Sequence, residues 1–198
     1  MRVERNIVMS GNLAYREERR EELIGGKVVM MSPRPAWNHI SVSGNIYGIF
    51  RDYLKGKKCV PIPDGFELHL TEEDVYVPDM MVVCDPDKIK SDGVHGAPDL
   101  VVEVLSPSTM RNDKTHKKDV YARCGVQEYW IVDPVSKSLE IYRTKGTGFD
   151  LDDIYALHPD WELAKMSEEE RAAVVTHFRC SLFDDLDISL EDIFYRTF

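Results

Sequence analysis

The chain is poor in the features that most readily announce a function. No apolar run approaches the roughly 20 residues needed to span a bilayer. The opening Met-Arg-Val-Glu-Arg-Asn has no apolar core of an export signal, so a cytoplasmic protein without membrane contact is expected. Cysteine is scarce: Cys59, Cys84, Cys124 and Cys180 are scattered, without a Cys-x-x-Cys pair, which predicts reduced thiols rather than a disulfide framework or a zinc site. The six histidines likewise lack metal-ligand spacing. No Gly-x-Ser-x-Gly elbow, phosphate loop or dinucleotide fingerprint is present, which argues against serine hydrolases and nucleotide-binding folds. Positive charge is also short. Twenty-five Lys and Arg face 35 Asp and Glu, a net charge of −10. That balance opposes a surface coated by nucleic acid, but it permits a local basic rim around an acidic pocket.

What is present is an ordinary globular composition, 43% apolar and 30% charged with a mean hydropathy of −0.34. The 198 residues suit one domain with a proper core. Residues 1–15 read as a lead-in. Arg16 to Ile24 reads as a short charged helix stopped by Gly25-Gly26, with Glu22 as its inward-facing acid. Lys27 to Ser32 reads as a strand, and Asn38 to Leu54 as a helix whose early His39 is expected to cap or pack. Phe66 to Leu70 and Val75 to Val83 follow as strands, the second with Asp79 embedded after Pro78, which fits an edge position, a strand start or a bulge. Glu128 to Val132 and Ser138 to Arg143 form a hairpin. Residues 144–198 are a less definite C-terminal elaboration, with a short capped helix from Ser167 to Val175 and a terminal helix after Asp187. The order predicts an α/β or α+β layered domain with a mixed sheet flanked by helices.

The informative stretch runs from Ala97 to Pro134. Leu100 to Leu105 is apolar except for Glu103, as in a strand buried on both faces. A carboxylate in its middle is expensive unless a cation or donors receive it. Ser108 or Thr109 can cap a helix that ends at Gly125. At about 100° per residue, Met110, Lys117, Tyr121 and Cys124 share its inner face, flanked by Asp113, Lys114 and Val120, while Lys118, Asp119, Ala122 and Arg123 lie outside. A buried acid followed by an inward lysine is not what a core alone selects.

Asp79 and Glu103 on adjacent strands could share a hard cation such as Mg²⁺, with Mn²⁺ as a substitute. Lys117 beside them could position a water or stabilise charge on a phosphoryl group. The plainer readings are a structural Glu103–Lys117 ion pair, a turn-closing Asp79, and a Lys117 bonded to Asp113. Asp99 is expected to order the strand start, and Tyr121, Tyr129 and Trp130 to pack in the core.

Val-Pro-Asp79, Gly96-Ala-Pro-Asp-Leu-Val-Val-Glu103-Val-Leu-Ser-Pro-Ser-Thr109, Asp113, Lys117, Tyr121, Gly125-Val126 and Glu128-Tyr-Trp-Ile-Val-Asp-Pro134 together resemble the Uma-type restriction-endonuclease family of the PD-(D/E)XK nuclease superfamily. The likeness extends to Glu22-Leu-Ile-Gly-Gly and Lys27-Val-Val-Met-Met-Ser-Pro. It implies a restriction-endonuclease-like fold, with an extra β-hairpin, and a Mg²⁺-dependent endonuclease that cuts DNA, as a homodimer. It further implies Asp79, Glu103 and the Val104 backbone carbonyl as metal ligands, with Glu22 as an outer one. Leu105 stands where the superfamily lysine belongs, and the family pattern assigns that duty to Lys117. Arg111, Lys114 and Lys118 are the candidate nucleic-acid contacts, with Arg51, Lys55, Lys57 and Lys58 as secondary candidates. The alternative is a nuclease fold without activity, serving as an accessory or protein-binding module.

Overall fold

The computed structural model describes residues 21–31 and 35–198. The expected lead-in and the start of the expected first helix lie outside them. Strands β1 (Glu21–Ile24) and β2 (Lys27–Met30) form a hairpin, followed by helix α1 (Trp37–Leu54). Next come β3 (Val60–Pro63), β4 (Leu68–His69), β5 (Val75–Tyr76), β6 (Met80–Val83), β7 (Val94–His95) and β8 (Leu100–Val104). A helical stretch of α2 (Met110–Asn112), a π turn (Asp113–Lys117) and α3 (Lys118–Cys124) precedes β9 (Glu128–Asp133), β10 (Ser138–Lys145) and β11 (Gly148–Ala156). Short helices α4 (Asp160–Leu163) and α5 (Glu168–Ala172), the pair β12 (His177–Arg179) and β13 (Asp187–Ser189), and α6 (Leu190–Ile193) complete the chain.

A six-stranded sheet, β11-β10-β9-β8-β6-β3, is the centre; a second sheet runs β2-β1-β5-β4-β7. β8 and β9 are parallel and the stretch 110–124 crosses between them, as parallel neighbours require. The other pairings within the six-stranded sheet are antiparallel. Period-two alternation then sorts the side chains. Leu100, Val102, Val104, Trp130 and Val132 pack with Val42, Ile46, Phe50 and Leu54 of α1. Val101, Tyr129 and Ile131 pack on the opposite face with Val120 and Tyr121. The α1 residues recur every fourth position, one stripe of a helix, and each such burial stabilises by roughly 1.5–3 kcal/mol. Glu103, odd-numbered in β8, is therefore directed to the face covered by the helical stretch, not by α1.

Several expectations change. Glu21–Ile24 is a strand rather than a helix end: its alternating buried Glu22 and Ile24 obey a two-residue period that the flanking charge obscured. The expected strand from Val75 to Val83 is two strands in different sheets. Proline at position 78 removes a ladder donor where the chain crosses between them, and Asp79 sits at this crossing. Met110 is exposed and Ala122 buried, the reverse of the helical-wheel expectation. The intervening π turn, with its i→i+5 bonding, rotates less per residue and shifts the face. The vague stretch after 144 contains β11, nine residues long but largely exposed, so apolar patterning is weak; Asp150, Asp152 and Asp153 protect this sheet edge.

The thiol expectation is also overturned, since Cys59 and Cys84 form a disulfide and Cys124 and Cys180 are free. Antiparallel pairing of Val60 with Val83 sets the two cysteines directly opposite each other, across a 25-residue separation that spacing rules do not read. Lasting disulfides are rare in reducing compartments, so this pair pulls against the cytoplasmic expectation. Among the described residues, no helix is long and apolar enough to cross a membrane.

Candidate metal and phosphodiester site

The centre of the site is Lys117, delivered by the π turn. Its Nζ lies 2.8 Å from Glu22 Oε1, 3.0 Å from Glu103 Oε1 and 3.4 Å from Asp113 Oδ1. All four residues are buried, with Lys117 at 2% exposure and Glu103 at 4%. Burial works against the charge on Lys117, but the carboxylates of Glu103, Glu22 and Asp113 outweigh it and hold the amine protonated well above its ordinary range. Burial raises the Glu103 carboxyl well above the usual carboxylate range; Lys117 opposes this while Asp113, Asp79 and Glu22 reinforce it. The Asp113 carboxyl is raised for the same leading reason.

Each acid is positioned by its own element. Glu22 Oε1 also accepts the Val77 amide at 2.9 Å, fastening β1 to the crossing segment. Glu103 Oε1 accepts the Tyr121 hydroxyl at 2.8 Å. Tyr121 is a core aromatic, as expected, but it is also the third element holding Glu103 in place. Burial and the nearby Glu103 charge push its phenol well above the ordinary range. Continuing the β6–β8 register, in which Met80 pairs with Val102, sets Asp79 opposite Glu103. Asp79 Oδ2 accepts the Val104 amide at 2.7 Å, and its Oδ1 faces His39 Nε2 at 3.3 Å.

His39 was expected to cap or pack, yet it stands at the site. Burial lowers the proton affinity of its ring, while hydrogen bonds to Asp79 and the Val104 carbonyl, with the charges of Asp79 and Asp64, raise it overall. The His39 ring thus stands between the Asp79 carboxylate and the Val104 carbonyl. Its position near the start of α1 was the one available signal. A cleft of about 230 Å³, lined by His39, Tyr47, Asp64 and Asp79 among others, opens beside it. A larger cavity of about 460 Å³ lies between β11 and α5, lined by Ile154, Met166 and Val174. It contains none of these groups.

The donors are of the chemistry that a hard divalent cation takes, but among the described residues no three of these carboxylates bring one oxygen each within 4.8 Å of one another. Glu22, Glu103 and Asp113 bring three carboxylates to one ammonium, and Asp79 adds a fourth nearby. Both Asp113 oxygens are sealed from solvent without a well-aligned hydrogen bond among the described residues. Such an excess of buried negative charge is costly until a cation or proton offsets it. Carboxylate and carbonyl oxygens are the ligands that Mg²⁺ and Mn²⁺ prefer.

The surface cations are less free than expected. Lys114 Nζ bonds Glu140 at 2.7 Å, and Lys118 lies over the Tyr142 ring, 4.3 Å from its centroid. Arg51 pairs with Asp52, and Lys57 lies near Asp185 and over the Tyr53 ring. Arg111, Lys55 and Lys58 are exposed. Asp99 orders the strand start as expected, accepting the Cys84 amide and the Gln127 side chain.

A sheet crossed by one helical stretch, with Glu103 of β8 against a helix lysine and Asp79 opposite Glu103 at the start of the adjoining strand, is a restriction-endonuclease-like arrangement. The family model described as "Uma2: Putative restriction endonuclease" matches residues 12–170, and the chain belongs to this family. The chain is 31% identical over 140 residues to the uncharacterized protein slr1290 of Synechocystis sp., covering 69% of this chain and 73% of that one. A crystal structure described as a "putative nuclease belonging to DUF820" from Anabaena variabilis superposes with a TM-score of 0.67 at 18% identity, covering 89% of this chain and 90% of the other. That likeness establishes the shared fold.

Proposed function

We propose that this chain is a divalent-metal-dependent nuclease that hydrolyses DNA phosphodiester bonds, acting as an endonuclease. One observation carries the reading: acids from β1, β8 and the π turn converge around Lys117 and bring more negative charge than that lysine neutralises, while Asp79 at the β5–β6 crossing stands opposite Glu103. Membership of a restriction-endonuclease family supports it.

Asp79, Glu103 and the Val104 carbonyl would hold Mg²⁺ or Mn²⁺, with Glu22 as an outer partner. Such an ion, when bound, supplies Lewis-acid polarisation of a phosphate and a more acidic water. Lys117, kept protonated by its carboxylates, would orient the attacking water and stabilise charge growing on the phosphorus oxygens. Glu22 holds that lysine directly, and Tyr121 fixes its partner Glu103. His39, beside the cleft, would orient Asp79. Arg111, Lys114 and Lys118 remain the proposed backbone contacts. For Lys114 and Lys118, phosphate would have to compete with Glu140 and the Tyr142 ring. Phosphate contacts dominate DNA affinity, so the acidic total favours a homodimer that pools the basic residues of two copies around one cleft. Residues 1–198 would act as one domain.

A second reading rests on the same lysine. Lys117 is fully engaged by acids, as it would be in a structural ion cluster of an inactive, accessory nuclease fold. Plasmid cleavage with Mg²⁺ and Mn²⁺, run beside Glu103→Ala and Lys117→Ala, separates the two. Metal-dependent nicking that both substitutions abolish supports the nuclease. No cleavage of any DNA or RNA substrate with either ion supports the accessory reading.

A further inference from the structure

A second group of metal-binding side chains lies in the smaller sheet, away from the Lys117 cluster. The parallel pairing of β4 with β7 sets His69 directly beside His95. Their rings stack, with centroids 4.4 Å apart and planes within 3°. Asp92 Oδ1 stands 3.1 Å from His95 Nε2, and Glu67 Oε2 stands 3.0 Å from His69 Nε2. One donor atom from each of His69, Asp92 and His95 falls within 4.8 Å of the others. In a tetrahedral zinc shell with 2.0–2.2 Å bonds, ligand atoms are about 3.3 Å apart, so binding would draw these donors closer and turn the two stacked rings toward one ion.

Two further features indicate that the group is built. His69 Nε2 is sealed from water, and despite the nearby Glu67 oxygen it makes no well-aligned hydrogen bond among the described residues. Position 93 also admits nothing larger than glycine: a Cβ there would lie 2.7 Å from the His69 ring and 2.7 Å from the Glu67 carbonyl oxygen. The loop therefore closes tightly over the His69 ring, with the Val94 amide on the Glu67 carbonyl and the Gly96 amide on the His69 carbonyl.

We propose that His69, His95 and Asp92, with Glu67 adjoining, form a binding site for a transition-metal dication of the Zn²⁺ type. Two imidazoles select such an ion over Mg²⁺, which prefers oxygen ligands. The ion would clip β7 and its loop onto β4. This site shares no residue with the Lys117 cluster, and β5 separates β4 from the strand that carries Glu22. Its existence is independent of nuclease activity.

The test is equilibrium dialysis of the untagged full chain, stripped with chelator and returned to Zn²⁺ in the presence of excess Mg²⁺, with metal counted by atomic absorption. One Zn²⁺ equivalent is expected in the wild type and in Asp79→Asn. His95→Ala and His69→Gln are expected to lose affinity for it by more than about 100-fold, beyond the 10- to 100-fold that an outer partner costs. His95 lies at the surface, so its variant is expected to keep the wild-type circular dichroism, which guards against loss by unfolding. Zinc retained equally by both histidine variants, or absent from the wild type, overturns the proposal. Zinc lost with Asp79→Asn assigns the ion to the central cluster and overturns it as well.

Discussion

Lys117 Nζ lies 2.8 Å from Glu22 Oε1, a contact between residues 95 positions apart that joins the first strand to the π turn. It couples the hairpin of β1 and β2 to the helical stretch under the central sheet. Removing the amine leaves three buried carboxylates with no partner cation. Lys117→Ala is expected to cost about 3–5 kcal/mol of stability, measured by urea denaturation. A cycle with Glu22→Gln should be strongly non-additive; additive losses would mean that the contact contributes little.

At Asp79, the His39 ring faces Oδ1 while the Val104 amide donates to Oδ2. His39→Ala is expected to leave the fold intact and to weaken Mn²⁺ binding by about 10- to 100-fold, as loss of an outer partner does. Unchanged Mn²⁺ titrations would remove His39 from the site.

The turn acid Asp74 ties three elements together. It accepts from the Gly25 amide, the Thr71 and Tyr76 hydroxyls, and pairs with His116 of the π turn. Burial would raise its carboxyl, but the bonds from Tyr76, Gly25, His116 and Thr71 prevail and lower it to about 2. A depressed acid stabilises the fold above its unfolded pKa, and that stability fades as pH falls through the folded value. Asp74→Asn is therefore expected to cost about 2 kcal/mol at neutral pH. The gap to wild type should shrink from about pH 4 downward and close near pH 2. A constant gap across that window in denaturation curves would contradict the assignment.

Gly93 faces a different constraint, since its φ is unremarkable and the obstacle is the His69 ring and the Glu67 carbonyl. Gly93→Ala should destabilise by about 1–3 kcal/mol, the usual cost of overpacking, seen as a lowered thermal midpoint. Gly44→Ala, with open space around its position, is the control and should not fall.

The Cys59–Cys84 bridge predicts the count of reactive thiols. Alkylation of the unreduced, denatured chain should label two cysteines, Cys124 and Cys180, and four after reduction. Four labels without reductant would show the pair open. Buried Cys180, whose thiol is pushed up to about 12 chiefly by burial and then by the Glu128 charge, should react slowly until the chain unfolds.

Much of the site could be read from local pattern. An acid inside an apolar strand, Glu103, and a lysine inside a helix face, Lys117, each violate the pattern around them, and both proved buried and in contact. The short capped helix expected from Ser167 was readable in the same way, and Ser167 with Glu170 makes a capping box at the start of α5. Where patterns were short or mixed, the reading failed. Four residues of β1 could not outvote a charged flank, and a π turn cannot be seen in a helical wheel.

The amino-acid order alone determined the strand that carries Glu103, the inward lysine, the α1 stripe and the family pattern, because periodicity and local chemistry are properties of neighbours in sequence. Tertiary structure alone decided that Glu22 reaches Lys117, that His39 meets Asp79, that Cys59 opposes Cys84, and that His69 stacks on His95. Each of these pairs is made by strand register or helix docking between distant segments, and register is set by the packing of whole faces rather than by the residues that happen to meet.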